Sequence, residues 1–294
     1  MLTQLALAIA PVLAPAPVQG TPLPGNIVEV ATQNGNFTTL VAALQATGLD
    51  SALDGSQSND RFTVFAPTDA AFSNLPPGTI MALLNDLPLL TEILLYHVTP
   101  GGLLAQQVLA SPQIDMLNGQ RTDISLQNGI PFIDQAEIQI TNVICSNGVI
   151  HVIDAVLQPA TETLVETALG APDARYLTHF LGFTSLIPVL DGGEFTVFAP
   201  TNTAFQQFPA ATLRSLTDPL GISTLEGILT IHVVPGRLYA DEVVAAGQLN
   251  SVGGKVLPVT TQGGNVFVDG ALVVVPNIEA GNGNIHFIDA VLLP

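Results

Sequence analysis

The chain has 294 residues, 48% apolar, 10% charged and 5% aromatic, with 24 acidic against 6 basic side chains and a formal net charge of −18 at pH 7. The apolar share is enough to build one large core or two ordinary ones, which rules out a disordered chain. Five Arg and one Lys cannot assemble the basic stripe that neutralises phosphates, so nucleic acid and anionic lipid are excluded as partners.

Residues 1–25 form an Ala/Pro-rich segment, apolar from Leu2 to Ala10 and then broken by prolines at 11, 15, 17, 22 and 24. It is too short and too Pro-broken to span a bilayer, and it has the apolar stretch and small residues of an export signal without the basic leader. No later run reaches 18 consecutive apolar residues, so no transmembrane segment is expected.

Apolar residues then recur near the helical period through Ile27, Val30, Ala31, Leu40, Val41 and Leu44, punctuated by Gly35 and Gly48. Phe62 to Phe65 reads as a strand ended by Pro67, and Thr68 as the cap of a short helix through Ala70, Ala71 and Phe72. Leu87 to His97 is the clearest helix, with Leu90, Ile93, Leu94 and His97 on one stripe. Pro100-Gly101 then suits a type II turn. The remaining third reads as strands joined by Asn-Gly or Asp-Gly pairs at 118, 128 and 147, which are hairpin signals. Helices first and an antiparallel sheet afterwards predict an α+β fold. Cys145 is the only cysteine; it removes intrachain disulfides and thiolate metal cages, and its apolar neighbours make it a buried small hydrophobe.

The same text is then written again. FTVFAPT occurs at Phe62–Thr68 and at Phe195–Thr201, and NGVIHVIDAVLQP from Asn147 returns as NGNIHFIDAVLLP from Asn282, identical at ten of thirteen places. LYHVTPG ending at Gly101 answers TIHVVPG ending at Gly236, at the offset of 135 residues that also separates Asn147 from Asn282. That period is the size of a whole domain and too long for a solenoid repeat. The expected organisation is residues 26–159 and 160–294, with almost no linker, so that the two domains contact each other.

His97 and His232 fall on apolar helical stripes at the carboxyl end, where a hydrogen-bonded imidazolium is expected to anchor the fold. A strand histidine follows 54 residues later in both copies, at His151 and His286. Two imidazoles are too few for a zinc site, and no HExxH spacing is present, so neither a metal nor another cofactor is expected. Asp154 and Asp289 share strand faces with apolar residues, and their burial demands a partner, for which a histidine is the expectation. No nucleophile elbow, phosphate loop or calcium loop occurs, and no enzyme is expected. The sequon Asn36-Phe37-Thr38 is a glycosylation acceptor only in a eukaryotic secretory pathway.

FTVFAPTDAAF, LLYHVTPG and NGVIHVIDAVLQP, repeated in order as FTVFAPTNTAF, LTIHVVPG and NGNIHFIDAVLLP, closely resemble the fasciclin domain, over nearly everything from Asn26 to Pro294. The resemblance implies helices packed on a wedge-shaped antiparallel β-sandwich, in secreted or surface-anchored proteins that adhere to cells, matrix or polysaccharide. It places a possible adhesive motif at Tyr96 and His97, against which stands the helical stripe that turns His97 to the core. The second copy has Ile231 before His232. Thr68, Asp69, His151 and Asp154, with Thr201, His232, His286 and Asp289, are expected to serve the scaffold. Adhesive contacts are then expected on loops such as Ser73 to Thr79 or Ser111 to Gly119. The leading expectation is a secreted adhesion or matrix module, whose partner is a cell-surface or matrix protein, a polysaccharide or a second copy. The alternative is a carrier of an apolar small molecule such as a carotenoid.

Overall fold

The computed structural model describes residues 25–55 and 60–294; the proposed signal segment lies outside them. The first domain opens with helices α1 (Ile27–Asn34), α2 (Thr38–Thr47) and α3 (Asp50–Leu53), followed by strand β1 (Phe62–Pro67). Three more helices follow, α4 (Asp69–Ser73), α5 (Thr79–Asn85) and α6 (Leu87–Leu95), then β2 (Val98–Pro100) and α7 (Ala105–Ala110). The domain closes with β3 (Gln113–Asp115), β4 (Arg121–Gln127), β5 (Ile130–Ile133), β6 (Ala136–Cys145) and β7 (Gly148–Ile153).

The second domain repeats the plan. Its helical part is α8 (Leu164–Gly170), α9 (Arg175–Leu181) and α10 (Ile187–Asp191), then β8 (Phe195–Pro200), α11 (Asn202–Gln206), α12 (Ala210–Thr217) and α13 (Ile222–Ile231). β9 (Val233–Pro235) and α14 (Ala240–Ala246) lead into β10 (Gln248–Asn250), β11 (Val256–Gln262), β12 (Asn265–Val268), β13 (Ala271–Ala280) and β14 (Gly283–Ile288).

Each domain holds seven strands, ordered β2-β1-β7-β6-β5-β4-β3 in the first and β9-β8-β14-β13-β12-β11-β10 in the second. All pairs are antiparallel except one per domain: β1 runs parallel to β7, and β8 to β14. That pair is the motif pair, FTVFAP beside GVIHVI. Its apolar content on both faces follows from its place, since a parallel pair is covered on both sides. Val64, Ala66, Ile150 and Val152 face the helices, while Phe65 and Ile153 face a second cluster with Tyr96, Val108, Ile114 and Ile133. The second domain has the same two clusters, and among the described residues no cluster mixes the two domains.

Just past β3, the Leu117 N–H donates to the Val98 carbonyl at 2.8 Å, and Val252 does the same to Val233 at 2.7 Å. These bonds join the two ends of the strand order, curling each sheet on itself and covering its free edges. The Asn147-Gly148 pair does more than turn the chain. A Cβ at Gly148 would stand 2.0 Å from the Phe62 carbonyl oxygen, and one at Gly283 would stand 1.9 Å from that of Phe195. Only glycine lets the parallel strands approach.

Candidate functional site

The Leu87 helix ends at Leu95, two residues earlier than its apolar stripe suggests; Tyr96 caps it and His97 sits just beyond. His97 is buried, with Nδ1 2.7 Å from the Ile93 carbonyl and Nε2 2.9 Å from the Leu157 amide nitrogen. An amide can only donate, so Nε2 accepts and Nδ1 carries the proton. His232 repeats this between the Ile228 carbonyl at 2.9 Å and the Leu292 amide at 2.8 Å. Burial pushes both imidazoles down to about 4. The imidazolium expected at a helix end is therefore replaced by a neutral ring: desolvation outweighs the helix dipole.

The strand histidines use the opposite tautomer. His151 receives the Asn142 amide at Nδ1 and turns Nε2 to the Leu103 carbonyl at 2.9 Å; His286 does the same with Asn277 and Leu238. Burial also holds both below the ordinary histidine value. Phe65 and Phe198 stack on these rings at 5.5 and 5.4 Å. Asn142 and Asn277 have φ of 60° and 58°, and each carbonyl side chain accepts from the first amide of α7 or α14 at 2.8 Å. The histidine thus secures an irregularity in β6 or β13 that in turn caps a helix.

The expected Asp–His contact is not formed. The Asp154 carboxylate accepts from the Glu137 amide at 2.7 Å, and that of Asp289 from Leu272 at 2.8 Å. Both stand just past the ends of β7 and β14, where they tie those ends to β6 and β13. Thr68 and Thr201 cap α4 and α11 by accepting from Ala71 and Ala204 at 3.2 Å. Asp69 reaches across to the start of α2, accepting from both Thr38 and Thr39. Burial opposes its charge, but these bonds hold its carboxyl down at about 2. Burial pushes the Cys145 thiol up to about 11.

Tyr96 is buried, and its hydroxyl donates to Asp134 at 3.0 Å and lies 3.1 Å from the Arg121 carbonyl. An exposed adhesive contact through Tyr96 and His97 does not fit these positions. Burial raises the Asp134 carboxyl above the usual carboxylate range and the Tyr96 phenol above the usual phenol range.

Arg121, which no sequence motif singled out, joins the two domains. Its guanidinium donates to Asp115 at 2.6 Å within its own domain and to Asp241 at 2.7 Å in the other, and lies 4.0 Å over the Tyr239 ring. Its amide donates to Glu279 at 3.1 Å, and the Tyr239 hydroxyl donates to the same carboxylate. Burial works against the guanidinium charge, but the bonds to Asp241 and Asp115 hold it. Beside it, Gln120 exchanges two hydrogen bonds of 2.8 Å with the Ala160 backbone. Ser111 to Gly119, expected as a free adhesive loop, contains β3 and supplies Asp115 to this junction.

Among the described residues, no group of three or more His, Cys, Asp or Glu is placed to hold a metal ion, and no helix is long and apolar enough to cross a membrane. An apolar groove of about 320 Å³ opens in the first domain between α2, α5 and α6, lined by Ala42, Ala43, Phe72, Ile80, Leu83 and Leu90. Between α8, α9, α10 and α13 in the second domain the apolar cavity is about 20 Å³, room for about one water.

The Fasciclin domain family profile matches residues 35–159 and 172–294, and the chain belongs to that family. It is 28% identical over 276 residues to the transforming growth factor-beta-induced protein ig-h3 of Sus scrofa, spanning 92% of this chain and 39% of that protein. Human periostin is 26% identical over 250 residues, 82% of this chain and 28% of periostin. The uncharacterized protein sll1735 of Synechocystis is 41% identical over 132 residues, 45% of this chain and 96% of that one. The chain therefore spans well under half the length of the ig-h3 and periostin relatives. Among solved structures, a FAS1 domain pair from the insect cell adhesion molecule Fasciclin I aligns with a TM-score of 0.43 at 19% identity, covering 89% of this chain and 98% of that one.

Proposed function

We propose that this pair of fasciclin domains is a secreted, non-enzymatic adhesion or extracellular-matrix module that holds a cell-surface or matrix protein or a polysaccharide. The observation that supports it best is where the repeated polar residues spend their bonds. The four motif histidines and the aspartates Asp154 and Asp289 are each satisfied by backbone groups of their own domain. Contact then falls to exposed segments, of which Ser73 to Thr79 is one. In this reading Tyr96 and His97 hold the fold, and the Arg121 junction presents two domains together, which raises avidity. Attachment of the whole chain to cells and to immobilised matrix polymers is the test. Retention without cleavage supports the module; failure to attach to any of them, or polysaccharide turnover abolished by changing one acid, overturns it.

The first-domain groove favours a second reading, a carrier of an apolar small molecule, because its volume falls in the usual range of small-ligand sites, about 300–1,000 Å³. Pigment or lipid extracted from the purified protein would support that reading.

A further inference from the structure

At the place where the first domain opens its apolar groove, the second domain is filled by its own aromatic rings. The helices concerned are matched by their bonds. The Thr39 amide of α2 donates to Asp69 at 2.7 Å and the Tyr176 amide of α9 to Asn202 at 3.1 Å, each acceptor being the residue after the capping threonine. Thr39 therefore stands where Tyr176 does, and one turn on Ala43 stands where Phe180 does. The facing walls are alike, since Phe72, Ile80, Leu83 and Leu90 answer Phe205, Leu213, Leu216 and Leu225. The difference lies in the small side chains of α2.

In the second domain the Tyr176 ring stacks on Phe205, with centroids 5.9 Å apart and planes 27° from parallel, and the Phe180 ring lies 5.2 Å from Phe205. In the first, with a threonine and an alanine in place of those rings, about 320 Å³ lies open beside Phe72. That volume suits a small ligand, and a flat apolar group fits against Phe72 as Tyr176 fits against Phe205. The mouth of the groove is acidic. Thr38 and Thr39 line it, their amides hold the Asp69 carboxylate, and the chain carries a net charge of −18, so a neutral ring is favoured over an anionic one.

We propose that the first-domain groove binds a neutral aromatic ring, stacked on Phe72 in the space that Tyr176 and Phe180 take in the second domain. The inference rests on the carrier reading of this groove and narrows its ligand from any apolar molecule to an aromatic one. It assigns one site to the chain, because the second domain supplies its own occupant.

The test is titration of the full chain with N-phenylnaphthylamine, a neutral aromatic probe that fluoresces in apolar surroundings, beside a thermal-shift series with dodecanol, an aliphatic alcohol. One probe should bind per chain, and the anionic analogue anilinonaphthalene sulfonate should bind more weakly. Thr39→Tyr and Ala43→Phe each restore a ring that the second domain has, and each should weaken probe binding at least about tenfold. Both fill space instead of opening it, so the melting temperature should hold or rise; Thr39 is only half-buried, which keeps the test open should Ala43→Phe disturb the core. Two probes per chain, or undiminished binding in a folded variant, would overturn the proposal. Stabilisation by dodecanol with no binding of the probe would overturn the aromatic assignment and leave the carrier reading; binding of neither would overturn both.

Discussion

Asp134 and Asp269 occupy the same place in the two domains and are satisfied in different ways. In the first, the Tyr96 hydroxyl reaches down from the end of α6; in the second, where Ile231 has no hydroxyl, the Lys255 ammonium donates to Asp269 at 2.6 Å from just before β11. The first domain has Gln120 at the lysine position, and it is free to hold Ala160 instead. The scaffold needs a donor for this carboxylate and accepts either residue as its source. By contrast, the four motif histidines keep the same partners in both domains. Tyrosine before histidine is thus one of two solutions to a packing problem, while the histidine and its bonds are the same in both domains.

The largest effect that could break this comparison is at the helix-end histidines. His97→Ala and His232→Ala each leave a buried amide without its acceptor and open a cavity, and should cost about 3–5 kcal/mol in denaturant unfolding. A large loss in one domain and a small one in the other would separate sites held here to be equivalent. Acid should act next. Burial lowers these two rings from 6.5 to about 4, so the unfolded chain takes up protons first as pH falls. The stability they contribute is complete above pH 6.5 and drains away towards pH 4, by about 3 kcal/mol for each ring. A melting temperature flat across that window would contradict this.

The smaller effects sharpen the comparison. Tyr96→Phe and Lys255→Met should each destabilise their own domain by about 1–2 kcal/mol, by leaving Asp134 or Asp269 short of a donor. The transplant is more telling: Tyr96→Ile with Gln120→Lys rebuilds the second domain's pair in the first. It should recover most of the loss caused by Tyr96→Ile alone, by thermal unfolding. No recovery would tie the aspartate to the tyrosine itself.

Much of the scaffold was legible in the residues because duplication made it visible. The Thr68 and Thr201 caps, the helical stripe of Leu90 and Leu94 and the glycine after Pro100 are local matters, and local rules read them; Gly101 and Gly236 take φ of +89° and +87°. What escaped depends on contacts between distant segments. The parallel pairing of β1 with β7 joins segments more than 80 residues apart. Asn147 looked like a turn residue, yet its side chain also binds the Ile27 amide and the Leu53 carbonyl, fastening α1 and α3 to the sheet. Burial alone pairs the aspartates with histidines, since both need partners, but nearby backbone amides meet the need of Asp154 and Asp289. Arg121 carried a signal that could have been read: it is one of only five arginines, and its counterpart in the repeat is valine.

The central claim is that the motif histidines are neutral members of the backbone hydrogen-bond network. Nitrogen NMR of the imidazoles in the intact protein tests it most directly. The account predicts a proton on Nδ1 of His97 and His232 and on Nε2 of His151 and His286, with neither helix-end ring gaining a second proton as the pH falls to about 5. One tautomer shared by all four, or titration of His97 and His232 near the ordinary histidine value, would contradict it.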